Sequence, residues 1–393
     1  MALARRMFLQ GSAGLAASML AARTVDAADG DAIRTVQNRI DLVARNALRE
    51  NEARVAIVVG IVTPDSTGGQ LLFAGRDTLV NPFGARLGLD ERTPFEIGSV
   101  SKVFTSGIHY MLRGPYEGTL GESLGRRMPL SKAIADIRLK NLANYEPGLA
   151  QDNRGGVYPA DMMKSLRNLF AYMATFTPPD RQGTCYAYSN IGWSLLSMAS
   201  LEIDSTDTDP FVSAYDRHLK QFCTGFGAPD TTVFHSTMKP HLPIGYTARL
   251  APLAVGDDYQ PSHPPGFGSG GIISNGADML RYLLYNMGRL PQGASDPALA
   301  YQQTETFKVA ACSTKGGAPM TSYGWFHAPL QTAQGPAIVL NKNGGVAGFT
   351  SWMGFTQWQG TGKPSSHGAF VLSNGPRSTA IGMNTMKLLL RGG

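Results

Sequence analysis

The sequence predicts an α+β fold in which one sheet is built from both ends of the chain and a mainly helical lobe is inserted between them. Three observations predict it. Residues 55–75 hold a β-branched apolar run and a return strand. Residues 324–373 hold four more strand-like segments. Between them, from about 114 to 260, helical patches alternate with Pro- and Gly-rich loops. The 393 residues suffice for one large or two medium domains.

Residues 1–27 read as an export leader. Arg5-Arg6-Met7-Phe8-Leu9 is a twin-arginine start, Gly11 to Ala22 is mildly apolar, and Val25-Asp26-Ala27 offers small residues for cleavage. A Tat-type signal peptide and a periplasmic location are expected, with a Sec signal or an uncleaved anchor as alternatives. Residues 28–393 then form the folded domain. No other stretch approaches the roughly 18 apolar residues of a span, so no stable membrane anchor is expected.

Residues 31–50 set Ile33, Val36, Ile40, Val43, Ala44 and Leu48 on one helical face. Residues 55–62 read as a buried strand, 63–69 as a turn and 70–75 as the return strand of a hairpin. A largely buried helix follows Ser99, carrying Val103, Phe104, Ile108 and Met111. Strand patterning returns at 324–327, 337–340, 348–355 and 368–373, and residues 379–390 close the chain as an apolar-rich helix. A ligand cleft is expected where sheet meets lobe.

Composition excludes several classes. Charged residues make up 16% and apolar ones 43%, which describes an ordinary globular chain. Removal of Arg5, Arg6, Arg23 and Asp26 with the leader lowers the formal charge from +6 to +4. No basic run with interleaved aromatics points to nucleic acid. Cys185, Cys223 and Cys312 contain no Cys-x-x-Cys; one pair can bridge in an oxidising compartment, and the spacing does not say which. The seven histidines are scattered without metal-ligand spacing.

The chemistry is concentrated in three short stretches. Ser99-Val100-Ser101-Lys102 puts a hydroxyl and an amine at i and i+3, on one helical face. A serine becomes a nucleophile when a neighbour takes its proton, and a lysine does so once burial or positive charge lowers its pKa. A solvated helix face satisfies the same spacing, but the apolar residues on both sides argue against one. Tyr188-Ser189-Asn190 offers a phenol and a carboxamide two residues apart. Beside positive charge such a phenol can act as a base; a helix N-cap explains the same residues. Asn341-Lys342-Asn343-Gly344-Gly345 reads either as a strand edge that a ligand can approach or as a Gly-rich hairpin turn. Gly266-Phe267-Gly268-Ser269-Gly270-Gly271 fits G-x-G-x-x-G, but it follows Pro261-Ser262-His263-Pro264-Pro265 and not a strand. It reads as a tight loop and not a dinucleotide site.

With these three stretches in this order, the chain resembles the class C β-lactamase and DD-peptidase superfamily of serine hydrolases over roughly residues 50–390. Within it, the chain is most similar to the AmpH-like D-alanyl-D-alanine carboxypeptidase/endopeptidase branch. Ser99-x-x-Lys102 with its Phe95-Glu96-Ile97-Gly98 approach, Tyr188-x-Asn190 and Lys342-Asn343-Gly344 carry the resemblance. It implies a β-lactamase/transpeptidase-like fold, an antiparallel sheet flanked by terminal helices with an inserted mainly helical lobe. It implies that Ser99 attacks a carbonyl and that Lys102 and Tyr188 share the proton transfers. Asn190 would hold the acyl-side amide, Lys342 would bind a carboxylate, and the N–H groups of Ser99 and Gly345 would form an oxyanion hole. No cofactor or metal is implied, and the implied partner is a β-lactam or a peptidoglycan peptide. Asn343 stands where the family has a carboxylate-binding Thr. Residues 141–150 lack the Thr-Ser-Gly of the family's cleft-bordering loop. A carboxylesterase of the same fold is therefore an alternative, and a non-catalytic wall-binding protein a second.

Overall fold

In a computed structural model of the protein, the described residues are 27–390 apart from 76–78, 125–127, 153–156, 160, 254–263, 305–306, 308–309, 313–318, 333–334, 347 and 358–364. The leader lies outside the described residues, except that Ala27 already begins a helix.

In chain order, α1 (Ala27–Asn51) leads into a hairpin of β1 (Ile57–Val62) and β2 (Gln70–Ala74). Then come β3 (Phe95–Glu96), a 3₁₀ turn (Gly98–Val100) and α2 (Ser101–Arg113). Helices α3 (Leu120–Leu124), α4 (Lys132–Ala135), α5 (Leu139–Ala143), α6 (Leu166–Met173), α7 (Asn190–Leu201), α8 (Thr208–Thr224), α9 (His235–Met238) and α10 (Phe267–Gly270) follow. A short β4 (Ile273–Ser274) precedes α11 (Gly276–Asn286), α12 (Pro291–Ala294) and α13 (Pro297–Thr304). The chain ends with β5 (Met320–Ser322), β6 (Trp325–Thr332), β7 (Gly335–Val346), β8 (Phe349–Thr356), β9 (Gly368–Ser373) and α14 (Ser378–Leu389).

One sheet does combine both chain ends. Its order is β2-β1-β9-β8-β7-β6-β5, antiparallel throughout. Both faces are covered. Ile57, Val59 and Ile61 of β1 and Val371 of β9 pack with Val36 and Ile40 of α1 and Met386 and Leu389 of α14. The alternate residues Val58, Phe370 and Leu372 join the core beneath the lobe. This double burial is why β1 and β9 read as unbroken apolar runs.

The helical part of the chain is longer than expected, continuing through α13 to Thr304. The glycines at 266–271 hide part of it. A Cβ on Gly268 would stand 2.3 Å from Ser197 Cβ, so glycine lets α10 wedge against α7. β7 also overruns its expected range. Residues 341–346 continue the strand and pair with β8, so the hairpin-turn reading of Gly344 and Gly345 is wrong; the reversal comes later, at Gly348, where φ is +85°. Cys185 and Cys312 form the disulfide, and Cys223 is a buried free thiol. No described helix is long and apolar enough to cross a membrane.

Candidate active site

The approach to Ser99 is held by backbone. β3 pairs with β4, and Ile97 N–H donates to the Ile272 carbonyl (3.0 Å). Gly98 takes φ +50°, and a Cβ there would sit 2.6 Å from the Gly345 nitrogen. Gly344 is equally constrained, since its Cβ would lie 2.0 Å from the Ile97 carbonyl oxygen. The bare backbone of β7 therefore packs on the turn that carries Ser99. β6 pairs with β7 only as far as Asn341, whereas β8 follows it to Val346. From Lys342 onward β7 thus has one strand partner among the described residues.

Lys102, on the first turn of α2, is fully buried. Its Nζ lies 3.0 Å from Ser99 Oγ, 2.8 Å from Asn190 Oδ1 and 2.6 Å from the Ser269 carbonyl oxygen. Burial pushes the amine down to about 7 from its usual 10.5, against a raising influence from Asp152. A neutral amine has two N–H donors and one lone pair. Two partners here, Asn190 Oδ1 and the Ser269 carbonyl, only accept from it; the third is the Ser99 hydroxyl, which can donate.

Ser101, the rival hydroxyl, is occupied structurally: its Oγ accepts from Ile272 N–H (3.1 Å). Thr105 Oγ1 donates to the Gly268 carbonyl (2.7 Å). Together they dock the turn that delivers the Ser269 carbonyl to Lys102.

Both readings of Tyr188-Ser189-Asn190 hold, on different residues. Ser189 caps α7, its Oγ accepting from Gly192 N–H (3.0 Å), while the Asn190 side chain serves Lys102. Tyr188 stacks on Tyr145 with ring centroids 5.2 Å apart, and its hydroxyl accepts from Lys342 Nζ (3.2 Å). Burial raises the phenol above its usual 10, although a hydrogen bond with Ser99 opposes this. Burial is the largest influence on this phenol, and it acts against the ionised form that a base would need. Lys342 is itself fully buried, and burial together with Lys102 pulls its amine well below 10.5.

A cleft of about 580 Å³ opens onto Ser99, Tyr188, Asn190, Asn343 and Gly345, with Tyr186, Phe326 and Met163 as its aromatic and apolar wall. Sequence reasoning found Ser99, Lys102, Tyr188, Asn190, Lys342, Asn343 and Gly345, and the structure gathers all seven here. It missed the Ser269 carbonyl, the cleft wall and Asp152, whose carboxylate binds the start of α7 (Asn190 N–H, 2.7 Å). Gly121-Glu122-Ser123-Leu124-Gly125 fits the G-x-S-x-G elbow pattern and was also missed. Ser123 nevertheless lies in α3, not on a strand-to-helix elbow.

A buried amine against a serine, beside a paired phenol and lysine under a covered antiparallel sheet, defines the class. The chain belongs to the Beta-lactamase family, whose sequence profile matches residues 54–388. Among curated relatives, the D-alanyl-D-alanine-carboxypeptidase/endopeptidase AmpH of Escherichia coli K12 is 24% identical over 269 residues, 65% of this chain and 66% of that protein. The chain thus spans just under two thirds of that relative's length. A Beta-lactamase of Providencia stuartii is 26% identical over 204 residues, 51% of this chain and 48% of that protein. A solved class C β-lactamase in complex with cefoxitin superposes with a TM-score of 0.68 at 19% identity, over 92% of this chain and 99% of that one. The D-alanine carboxypeptidase AmpC from Burkholderia cenocepacia gives 0.65 at 19% identity, over 92% and 99%. These superpositions establish the β-lactamase/transpeptidase-like fold.

Proposed function

We propose that the protein is an exported serine hydrolase that forms an acyl-enzyme on Ser99 with β-lactams or D-Ala-D-Ala peptides. The observation that carries this is Lys102: a buried amine lowered to about 7, with two fixed acceptors and its remaining valence toward Ser99 Oγ at 3.0 Å. In the reaction, Lys102 takes the Ser99 hydroxyl proton as Oγ bonds to the carbonyl carbon. The N–H groups of Ser99 and Gly345 receive the developing oxyanion. Tyr188 gives its phenolic proton to the departing nitrogen, with Lys342 behind it to stabilise the phenolate. Asn190 orients the acyl amide. Water then attacks the ester carbonyl and gives a proton to the Tyr188 phenolate; the acyl–Oγ bond breaks as Lys102 returns its proton to Ser99 Oγ (3.0 Å away), and the acid product leaves.

Export is supported by the Arg5-Arg6 leader and by the Cys185–Cys312 disulfide, which suits an oxidising compartment. One observation favours a second reading. Asn343 lines the cleft where a hydroxyl would bind a carboxylate, and that suits an ester substrate without one.

Intact-mass measurement after incubation with penicillin tests the proposal. The wild-type chain is expected to gain one penicilloyl group and Ser99→Ala none. A shift that survives in Ser99→Ala would overturn the assignment of the nucleophile. Cleavage of p-nitrophenyl esters without any penicilloyl adduct would select the esterase.

A further inference from the structure

We propose that Asp152 is a positioning residue of the acylation site, clamping the segment that carries Tyr188 and Asn190 onto Lys102. The proposal rests on the serine-hydrolase reading of Ser99 and Lys102. Asp152 stands in the loop after α5, 38 residues before Asn190. It grips that segment from both sides. Its own N–H donates to the Tyr188 carbonyl (3.1 Å). Its carboxylate accepts from the N–H groups of Asn190 (2.7 Å) and Ile191 (2.9 Å), with Ser189 Oγ at 3.5 Å.

Helix α7 does not need this second cap to start. Ser189 already supplies the local one by accepting from Gly192 N–H. What the remote cap adds is a fixed location for the first residues of α7 and for the tyrosine before them. Those are the residues whose side chains meet Lys102 and Lys342. A reacting geometry held this way loses little to motion, whereas a misplacement of about 1 Å can cost two orders of magnitude in rate.

The carboxylate also acts through its charge. Lys102 is faced by Ser99 from the 3₁₀ turn before its own helix, by Asn190 and Tyr188 from the α7 side and by the Ser269 carbonyl from α10. Lys342 of β7 stands across the Tyr188 ring and disfavours a second positive charge. Asp152 is the acidic group that favours the protonated form of Lys102, against the desolvation that lowers it. Burial in turn raises the Asp152 carboxyl, and the two α7 N–H groups and Lys102 pull it back.

The test follows the rate of Ser99 labelling by a fluorescent penicillin against pH, or p-nitrophenol release from p-nitrophenyl acetate if penicillin does not label. Wild type, Asp152→Asn and Asp152→Glu are compared, with Ser99→Ala as reference. Asp152→Asn keeps an acceptor and loses the charge. Its plateau rate is expected to fall about 10- to 100-fold, and its acid limb to move down by on the order of one pH unit. Asp152→Glu keeps the charge but carries it one methylene farther out, off the two α7 N–H groups, so its rate should fall while its limb stays near that of wild type. An Asp152→Asn limb that coincides with wild type, or an unchanged plateau rate, overturns the proposal. So does the loss of a cooperative thermal melt in both variants, because Asp152 would then hold the fold and not the site. Reaction that persists in Ser99→Ala, or is absent from wild type with both probes, brings down the serine-hydrolase reading itself.

Discussion

At the scale of single residues, the site turns on how many protons one amine carries. Lys102 has two obligate acceptors and one serine, so in its neutral form both N–H groups have acceptors and the lone pair is left for the Ser99 hydroxyl. Its pKa is lowered by burial to about 7, so the neutral amine that the proposed acylation uses as its base is available above that pH and consumed below it. The acylation rate should therefore rise with pH through about 7 and then level, falling about tenfold per unit on the acid side. A rate that is flat from pH 5 to 8 would exclude Lys102 as the base. Lys102→Arg keeps a cation and loses the base, and should cost about a thousandfold in kcat/KM. Tyr188→Phe separates the two proton transfers. A departing amine needs a proton and p-nitrophenolate does not, so β-lactam acylation should slow about a hundredfold and ester cleavage by less than about tenfold. Equal losses on both substrates would assign Tyr188 to the attacking step. These residues were legible in the sequence because spacing and residue type carry the chemistry. The Ser269 carbonyl and Asp152 were not, since a main-chain acceptor has no residue type and no spacing rule joins a loop at 152 to a helix at 190.

At the scale of elements, glycine decides how closely two backbones approach. Gly344 and Gly345 are neighbours on β7 with opposite surroundings. A Cβ on Gly344 would lie 2.0 Å from the Ile97 carbonyl oxygen and 2.5 Å from Ser351 Oγ, while on Gly345 it would meet only the Phe349 carbonyl oxygen at 4.0 Å. Gly344→Ala should cost about 2 kcal/mol or more and push β7 off the turn that carries Ser99, lowering kcat/KM as well. Gly345→Ala should leave the denaturation midpoint within about 0.5 kcal/mol of wild type and act only at the cleft. Urea titrations of the two variants check this, and equal midpoints would refute the packing argument. The same physics limits what the sequence shows. β1 and β9, buried on both faces, announce themselves as apolar runs. The glycines near the end of β7 leave its sequence open between strand edge and hairpin turn, and the glycine-rich α10 reads as a tight loop, because a residue chosen for its missing side chain leaves no periodicity.

At the scale of the whole molecule, the disulfide ties the segment before Tyr188 to the segment after α13. Cys185 and Cys312 are 127 residues apart, and their backbones pair around them, Tyr186 N–H to the Ala310 carbonyl (2.8 Å) and Cys312 N–H to the Tyr186 carbonyl (3.0 Å). The sequence left three possible pairings, because only the fold brings these two distant segments together. Cys223 stays out of exchange: it is buried, and burial with the nearby Asp278 and Asp216 raises its thiol well above 9.0. Closing so long a loop restricts the unfolded chain, and removing the bridge should cost roughly 2–5 kcal/mol in the chain-entropy account. The native backbone pairs and the Asp152 clamp persist without it, so the activity of the folded fraction should drop by less than about tenfold. The check is a urea midpoint with and without reductant, for wild type and for the Cys185→Ser/Cys312→Ser double variant. Reductant should lower the wild-type midpoint to that of the double variant and leave the double variant unmoved. If reductant leaves the wild-type midpoint where it was while mass analysis shows both thiols free, the stabilisation assigned to closing this loop is refuted.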